Sequence, residues 1–197
     1  ITFFPEGTLC GPQPITYYME SMMSKTKENL EAAFAGESMA RNKYTFYAKV
    51  ARKEGYHYVA KIFEETAINE MRHANDHLKL LGGIGDTIAN LQDAMEGEDY
   101  ETTTMYQDFA AVAKEEGNLE AAAKFEMIGK VEADHRERYK KLLARVKAGT
   151  VYTRDESITW KCSLCGYLHE GTEPPEKCPA CAHPKEYYEP ADLDTDI

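Results

Sequence analysis

The sequence predicts an all-α four-helix bundle followed by a small C-terminal metal-binding β domain. Residues 25–147 contain no proline, and small and apolar side chains recur there at helical spacing, as at Ala33, Ala40, Tyr44, Tyr47 and Ala51. The two halves of that stretch repeat each other. Four of the five cysteines then fall within 20 residues, as Cys162, Cys165, Cys178 and Cys181. Two Cys-x-x-Cys pairs of this kind hold a metal rather than forming a disulfide framework.

Gly55 and Gly117 mark tight ends, so the periodic stretch divides into helices over about 25–54, 57–81, 88–116 and 118–147. The bundle is assigned to residues 24–149, a linker to 150–158 and the C-terminal module to 159–197. Residues 1–23 are rich in proline, glycine and aromatics, lack helical periodicity and read as an N-terminal extension of unassigned role. With no basic start and no long apolar core they do not form a secretory signal. Cys10 lies there, outside both cysteine motifs, and reads as a free thiol.

Composition excludes several functions. Apolar residues make up 43% and charged residues 29%, an ordinary globular balance. No run approaches the ~18 apolar residues of a membrane helix, so a membrane partner is not expected. A net charge of −11 argues against nucleic acid, whose phosphates need a basic footprint. Of that charge, −7 sits in residues 155–197, which marks a composition break near residue 150. Metal-binding thiolates must stay reduced, which suits the cytoplasm.

The repeat carries the chemistry. Ala33-Phe34-Ala35-Gly36-Glu37 matches Ala94-Met95-Glu96-Gly97-Glu98. Phe63 precedes Glu70 by seven residues, as Phe125 precedes Glu132. Tyr44 and Tyr106 each lie 11 residues before Gly55 and Gly117. The register slips once, since Glu37 to Tyr44 is seven residues and Glu98 to Tyr106 is eight. One extra residue inside a helix is the sequence mark of a π-bulge, and it falls in the segment holding Glu101.

Glu70-Met71-Arg72-His73 and Glu132-Ala133-Asp134-His135 are both Glu-x-x-His, which puts carboxylate and imidazole on one helix face. Glu37 and Glu98 occupy matching places on the preceding helices. One Glu from each of two helices plus Glu-x-x-His from each of the other two is the pattern of a di-iron carboxylate site. Buried glutamates are costly unless metal charge offsets them. A single Glu-x-x-His is weak evidence; two in register within a repeat are strong. By spacing alone Glu101 is either a ligand or a solvated neighbour of Glu98. The spacing of the four cysteines fits a tetrahedral site for zinc or for iron and does not choose between them.

Taken together, these segments resemble the rubrerythrin family. The resemblance runs from about Asn29 to Tyr188 and rests on Ala33–Asn42 (AFAGESMARN), Glu70–His73, Gly97–Glu101 (GEDYE), Glu132–His135, Trp160–Tyr167 (WKCSLCGY) and Cys178–Lys185 (CPACAHPK). It implies a ferritin-like bundle with two non-haem irons, joined to a rubredoxin-like domain whose four cysteines hold one iron. By position it implies Glu37, Glu70, Glu98, Glu101, Glu132 and His135 as ligands, with Glu70 and Glu132 bridging. Glu101 is then the extra carboxylate that exchanges with His73 as the oxidation state changes, and Tyr44 and Tyr106 are tyrosines near the site. The implied activity is reduction of hydrogen peroxide to water, with electrons relayed through the mononuclear iron. The donor would be a rubredoxin or a pyridine-nucleotide-dependent reductase.

Two other readings compete: a ferritin-like protein that oxidises and handles iron, against which the electron-input module counts, and a structural or sensing protein with zinc in the cysteine site. His57 and His77 are expected at exposed helix positions, and His169 and His183 receive no role. The break between the second and third helices, residues 82–87, bears on assembly. Six residues reach at most roughly 20 Å, whereas a 25-residue helix is about 38 Å long, so the long crossover of a ferritin-like bundle does not fit. Either the chain turns back into an up-down-up-down monomer, or two chains form a homodimer with exchanged helix pairs, which is the expected arrangement.

Overall fold

The computed structural model describes residues 15–192, with side chains from Lys25 onward. The first 14 residues, with most of the expected extension and Cys10, and the last five lie outside the described residues. Helix α1 spans Ile15–Lys53, so it starts ten residues before the predicted boundary at residue 25. No proline or glycine separates Ile15 from Lys25. The apolar pattern weakens there, which hid the helix, but no residue stops it.

Two compact units divide the chain at Ile84. In the first, α1 and α2 (His57–Leu80) form an antiparallel hairpin. Gly55, at φ +86°, closes α1, with the Tyr56 N–H donating to the Ala51 carbonyl. The hairpin closes over small residues: Ala48, Ala51 and Ala60 are buried with Phe63 against them, and Ala67 and Ala74 continue the seam. Alanine lets the two backbones approach and loses no rotamer entropy on burial.

The second unit repeats this plan. Helix α3 (Thr87–Tyr100) starts at Asp86, whose carboxylate accepts from the Ala89 N–H at 2.9 Å. A π-helical turn, Glu101–Met105, leads into α4 (Tyr106–Glu115). Gly117, at φ +77°, ends α4, and Asn118 caps α5 (Leu119–Ala148) by accepting from the Ala121 N–H. Ala110, Ala113 and Ala122 are buried like their counterparts in the first hairpin. The correspondence extends to contacts that periodicity does not reveal. Arg52 pairs with Glu64, and Lys114 pairs with Glu126 at 2.5 Å. Tyr44, Tyr47 and Phe63 form one ring cluster, and Tyr106, Phe109 and Phe125 form its match.

Each hairpin leaves large apolar side chains exposed. Phe46 is 58% exposed and Val50 54%; in the second unit Val112 is 51% exposed and Met127 59%. Among the described residues no helix is long and apolar enough to cross a membrane.

The C-terminal part of the second unit is a three-stranded antiparallel sheet in the order β2-β1-β3, from β1 (Ile158–Cys162), β2 (Leu168–Gly171) and β3 (Tyr188–Pro190). Its core is Trp160, Cys162, Cys178 and Tyr188. The Trp160 indole N–H donates to the Gly171 carbonyl at 3.0 Å, and Arg154 lies over the ring 5.0 Å from its centre. Two of these four core residues are cysteines, so the module depends on what they hold.

Candidate metal centres

The Glu-x-x-His of α2 faces Glu37 on α1. His73 Nδ1 lies 2.9 Å from Glu70 Oε2 and 4.0 Å from Glu37 Oε1. In the second hairpin His135 Nδ1 lies 2.7 Å from Glu132 Oε2 and 3.6 Å from Glu98 Oε1. In each group one donor atom per residue lies within 4.8 Å of the others. Three residues of helix bring Glu and His to one face, and antiparallel pairing sets the third carboxylate opposite. The structure thus gathers six of the seven predicted residues into two groups of three, one in each hairpin.

Hard carboxylate oxygens with one imidazole per group suit iron. The electrostatics show why an ion belongs there. Burial pushes the Glu98 carboxyl above its ordinary value, and the Glu132 charge pushes it further, while His135 offsets part of the shift. A cation would relieve both penalties.

Glu101 is not within that close group. It opens the π-helical turn, and its charge is felt by both Glu98 and Tyr106. The turn lies where the repeat slips register, as the count from Glu98 to Tyr106 requires. Burial and the charges of Glu101, Glu132 and Glu98 raise the Tyr106 hydroxyl above its ordinary value. Tyr44 stacks on Phe63, and Tyr106 packs on Phe125, each with centroids 6.1 Å apart. Gly129 leaves room for this, since a Cβ there would come within 3.2 Å of Tyr106 Cβ.

One expectation fails. His57 is exposed, but His77 is half-buried, with its Nδ1 buried and without a hydrogen-bond partner. Four residues beyond His73, it falls on nearly the same face of α2; that spacing was the available signal. His169 is half-buried in β2, and the His183 ring meets Tyr187 edge-on.

The four cysteines converge. Cys162 Sγ is 3.7 Å from Cys181 Sγ, and Cys165 Sγ is 3.6 Å from Cys178 Sγ. A disulfide would need about 2.05 Å, whereas a tetrahedral ion with sulfur bonds of about 2.3 Å sets its sulfurs about 3.8 Å apart. Two matching knuckles build the site. Gly166 N–H donates to the Cys162 carbonyl and Ala182 N–H to the Cys178 carbonyl, each at 2.8 Å. Both residues have positive φ, +77° and +60°, so Ala182 occupies a left-handed position that Gly166 fills without strain. Burial acts to raise the Cys178 thiol, but the Cys181 and Ala180 amides and the neighbouring sulfur outweigh it and bring it down to about 6, while Cys165 is pushed up to about 12 and Cys181 is also raised, so the four sulfurs share protons as one group.

The raised Glu98 carboxyl has a consequence for stability. The folded chain keeps a proton there at a pH where the unfolded chain has released it. That contribution is present below the ordinary carboxylate range and is lost as pH rises through the raised folded value. Metal-free protein should therefore lose stability between the carboxylate range and neutrality, and Glu98→Gln should flatten the slope. Thermal unfolding of chelator-treated protein across pH checks this; equal slopes for both proteins would refute it.

Comparison with known proteins agrees with this geometry. The family model described as Rubrerythrin matches residues 28–143, and that described as rubrerythrin, rubredoxin-like domain matches residues 160–189. A rubrerythrin of Porphyromonas gingivalis is 48% identical over 180 residues, covering 85% of this chain and 90% of that one. A putative rubrerythrin of Methanocaldococcus jannaschii is 43% identical over 189 residues, covering 85% and 93%. A nigerythrin of Nitratidesulfovibrio vulgaris is 37% identical over 183 residues, covering 86% and 88%. With the Glu/His groups of a di-iron centre in a ferritin-like helical region and a four-cysteine rubredoxin-like site after it, this chain belongs to the rubrerythrin family.

Proposed function

We propose that this chain reduces hydrogen peroxide to water at its paired Glu/His groups, with electrons entering through the four-cysteine site. The observation that supports it most is the presence on one chain of two matched carboxylate–histidine groups and a four-sulfur site. An iron pair supplies two electrons, one per ion, which is what H2O2 + 2 H+ + 2 e− → 2 H2O demands, and a sulfur-bound iron passes electrons singly. A storage protein has no use for such an input.

The chain's own residues hold and orient. In this reading Glu37, Glu70, His73, Glu98, Glu101, Glu132 and His135 would hold the iron pair, and Cys162, Cys165, Cys178 and Cys181 would hold the third iron. Glu101 adds a negative charge that the first hairpin lacks, which favours the more highly charged ferric state. Tyr106 stays protonated at neutral pH and can donate a hydrogen bond to peroxide, with Tyr44 as its counterpart. The His73 side chain, 54% exposed, can exchange a proton with solvent and deliver it beside Glu70. The need for reduced thiolates supports a cytoplasmic setting, in which a rubredoxin or a pyridine-nucleotide-dependent reductase would serve as donor.

The assembly we propose is a homodimer in which α1–α2 of one chain pack with α3–α5 of its partner. Each hairpin holds three ligands, leaves an apolar face exposed, and is tied to the next by the six residues between Leu80 and Thr87. Domain exchange is a low-cost route to such a dimer.

Four outcomes check this reading. Purified protein should hold about three irons per chain by metal analysis, and Glu101→Ala should keep the fold and most iron but slow peroxide turnover roughly a hundredfold; wild-type turnover would remove Glu101 from the chemistry. Cys162→Ser should abolish turnover with a protein donor yet leave single-turnover oxidation of the chemically reduced iron pair intact, whereas loss of both would make the module structural. Glu70→Gln and Glu132→Gln chains, each inactive alone, should regain one intact site when refolded together. No regained activity would refute exchange.

A further inference from the structure

The two hairpins are copies that differ by one residue, and the structure shows what accommodates it. Counted back from Gly55 and Gly117, Thr45 corresponds to Gln107. Thr45 makes an ordinary helical back-bond, its hydroxyl donating to the Arg41 carbonyl four residues earlier at 2.9 Å. Gln107 does something else. Its side-chain amide donates to the Thr102 carbonyl, five residues earlier, at 3.1 Å.

That carbonyl lies inside the π-helical turn, which closes with the Tyr106 N–H donating to the Glu101 carbonyl. Where a ladder of i→i+5 bonds returns to i→i+4, one carbonyl is passed over and needs another donor. Gln107 supplies it at the exit, whereas the Thr103 hydroxyl, donating to the Asp99 carbonyl at 2.7 Å, makes the same four-residue back-bond as Thr45. Threonine is too short to span five residues, so the copy with the wide turn carries glutamine where the copy without it carries threonine.

We propose that Gln107 is a positioning residue: its carboxamide pins the wide turn at residues 101–105 and so keeps the Glu101 carboxylate directed toward Glu98 and Tyr106, where the iron pair binds. A wide turn that is not pinned can slide along its helix, and each one-residue shift rotates the side chains it passes by about 100°. Glu101, the first residue of the turn, would be turned away. The inference rests on the reading of Glu101 as a ligand of the peroxide-reducing centre.

The test uses iron-loaded, full-length protein carrying Gln107→Met, which keeps the length and loses the donor, or Gln107→Lys, which keeps a donor. Each is made alone and with Glu101→Ala. Three quantities are read: amide hydrogen exchange over residues 99–108, the absorption spectrum of the oxidised iron pair, and the rate of its single-turnover oxidation by hydrogen peroxide.

In Gln107→Met, exchange in the turn should accelerate several-fold and the spectrum should move toward that of Glu101→Ala with iron content unchanged. Peroxide oxidation should slow roughly three- to tenfold, and Gln107→Lys should restore all three. In the Glu101→Ala background, Gln107→Met should change neither spectrum nor rate further, since a residue acting through Glu101 has nothing left to act on. Wild-type exchange and spectrum in Gln107→Met, or an equal slowing in both backgrounds, would overturn the proposal. If the wild-type protein oxidises no faster with peroxide than without it, the functional reading fails, while exchange and spectrum still decide the role of Gln107.

Discussion

Like charges held close together are the constraint on which the rest of this structure depends. Each hairpin places two carboxylates and one imidazole within a few ångströms on a helical face. Burial first, and then the repulsion between Glu98 and Glu132, make Glu98 hold its proton more tightly than usual. The helices must supply enough packing to hold such a group together until a cation neutralises it. The alanine seams do this by bringing the two backbones of each hairpin close. The matched ring clusters and the Arg52–Glu64 and Lys114–Glu126 pairs fix the alignment at one end.

The same constraint explains why the two hairpins are similar but not identical. A symmetric pair of Glu/Glu/His groups treats its two ions alike. The added residue in the second hairpin opens a wide turn at Glu101, a carboxylate position that the first hairpin lacks. A wide turn in a helix leaves a backbone carbonyl short of a donor, so it persists only where other groups compensate. Here the Gln107 side-chain amide meets it, donating to the Thr102 carbonyl.

The C-terminal module answers a different problem. A sheet of three short strands cannot bury enough apolar surface to be stable on its own strength. Trp160 and Tyr188 supply most of what core there is, and two of the metal-directed cysteines are buried with them. Packing and metal binding therefore share the same residues. The left-handed backbone at Ala182, tolerated without glycine, shows that the knuckle takes precedence over local preference.

Much of this was legible in the sequence because it is local. Three of the four helices begin and end within two residues of the ranges that periodicity and glycine ends imply. Glu-x-x-His, Cys-x-x-Cys and the one-residue slip carry their geometry in their spacing, so the two metal groups, the sulfur cluster and the wide turn could all be placed before any fold was known. What the sequence alone did not determine depends on which surfaces meet. The extension of α1 back to Ile15 was hidden because a weak apolar pattern is indistinguishable from a loop until something stops the helix or fails to. The burial of His77 depends on the face that α2 turns toward α1, not on the identity of histidine. The bond from Gln107 to the Thr102 carbonyl exists only because the tertiary structure puts the added residue into a π-turn there; pattern counting locates an extra residue, but only the folded backbone decides which carbonyl is left to be satisfied.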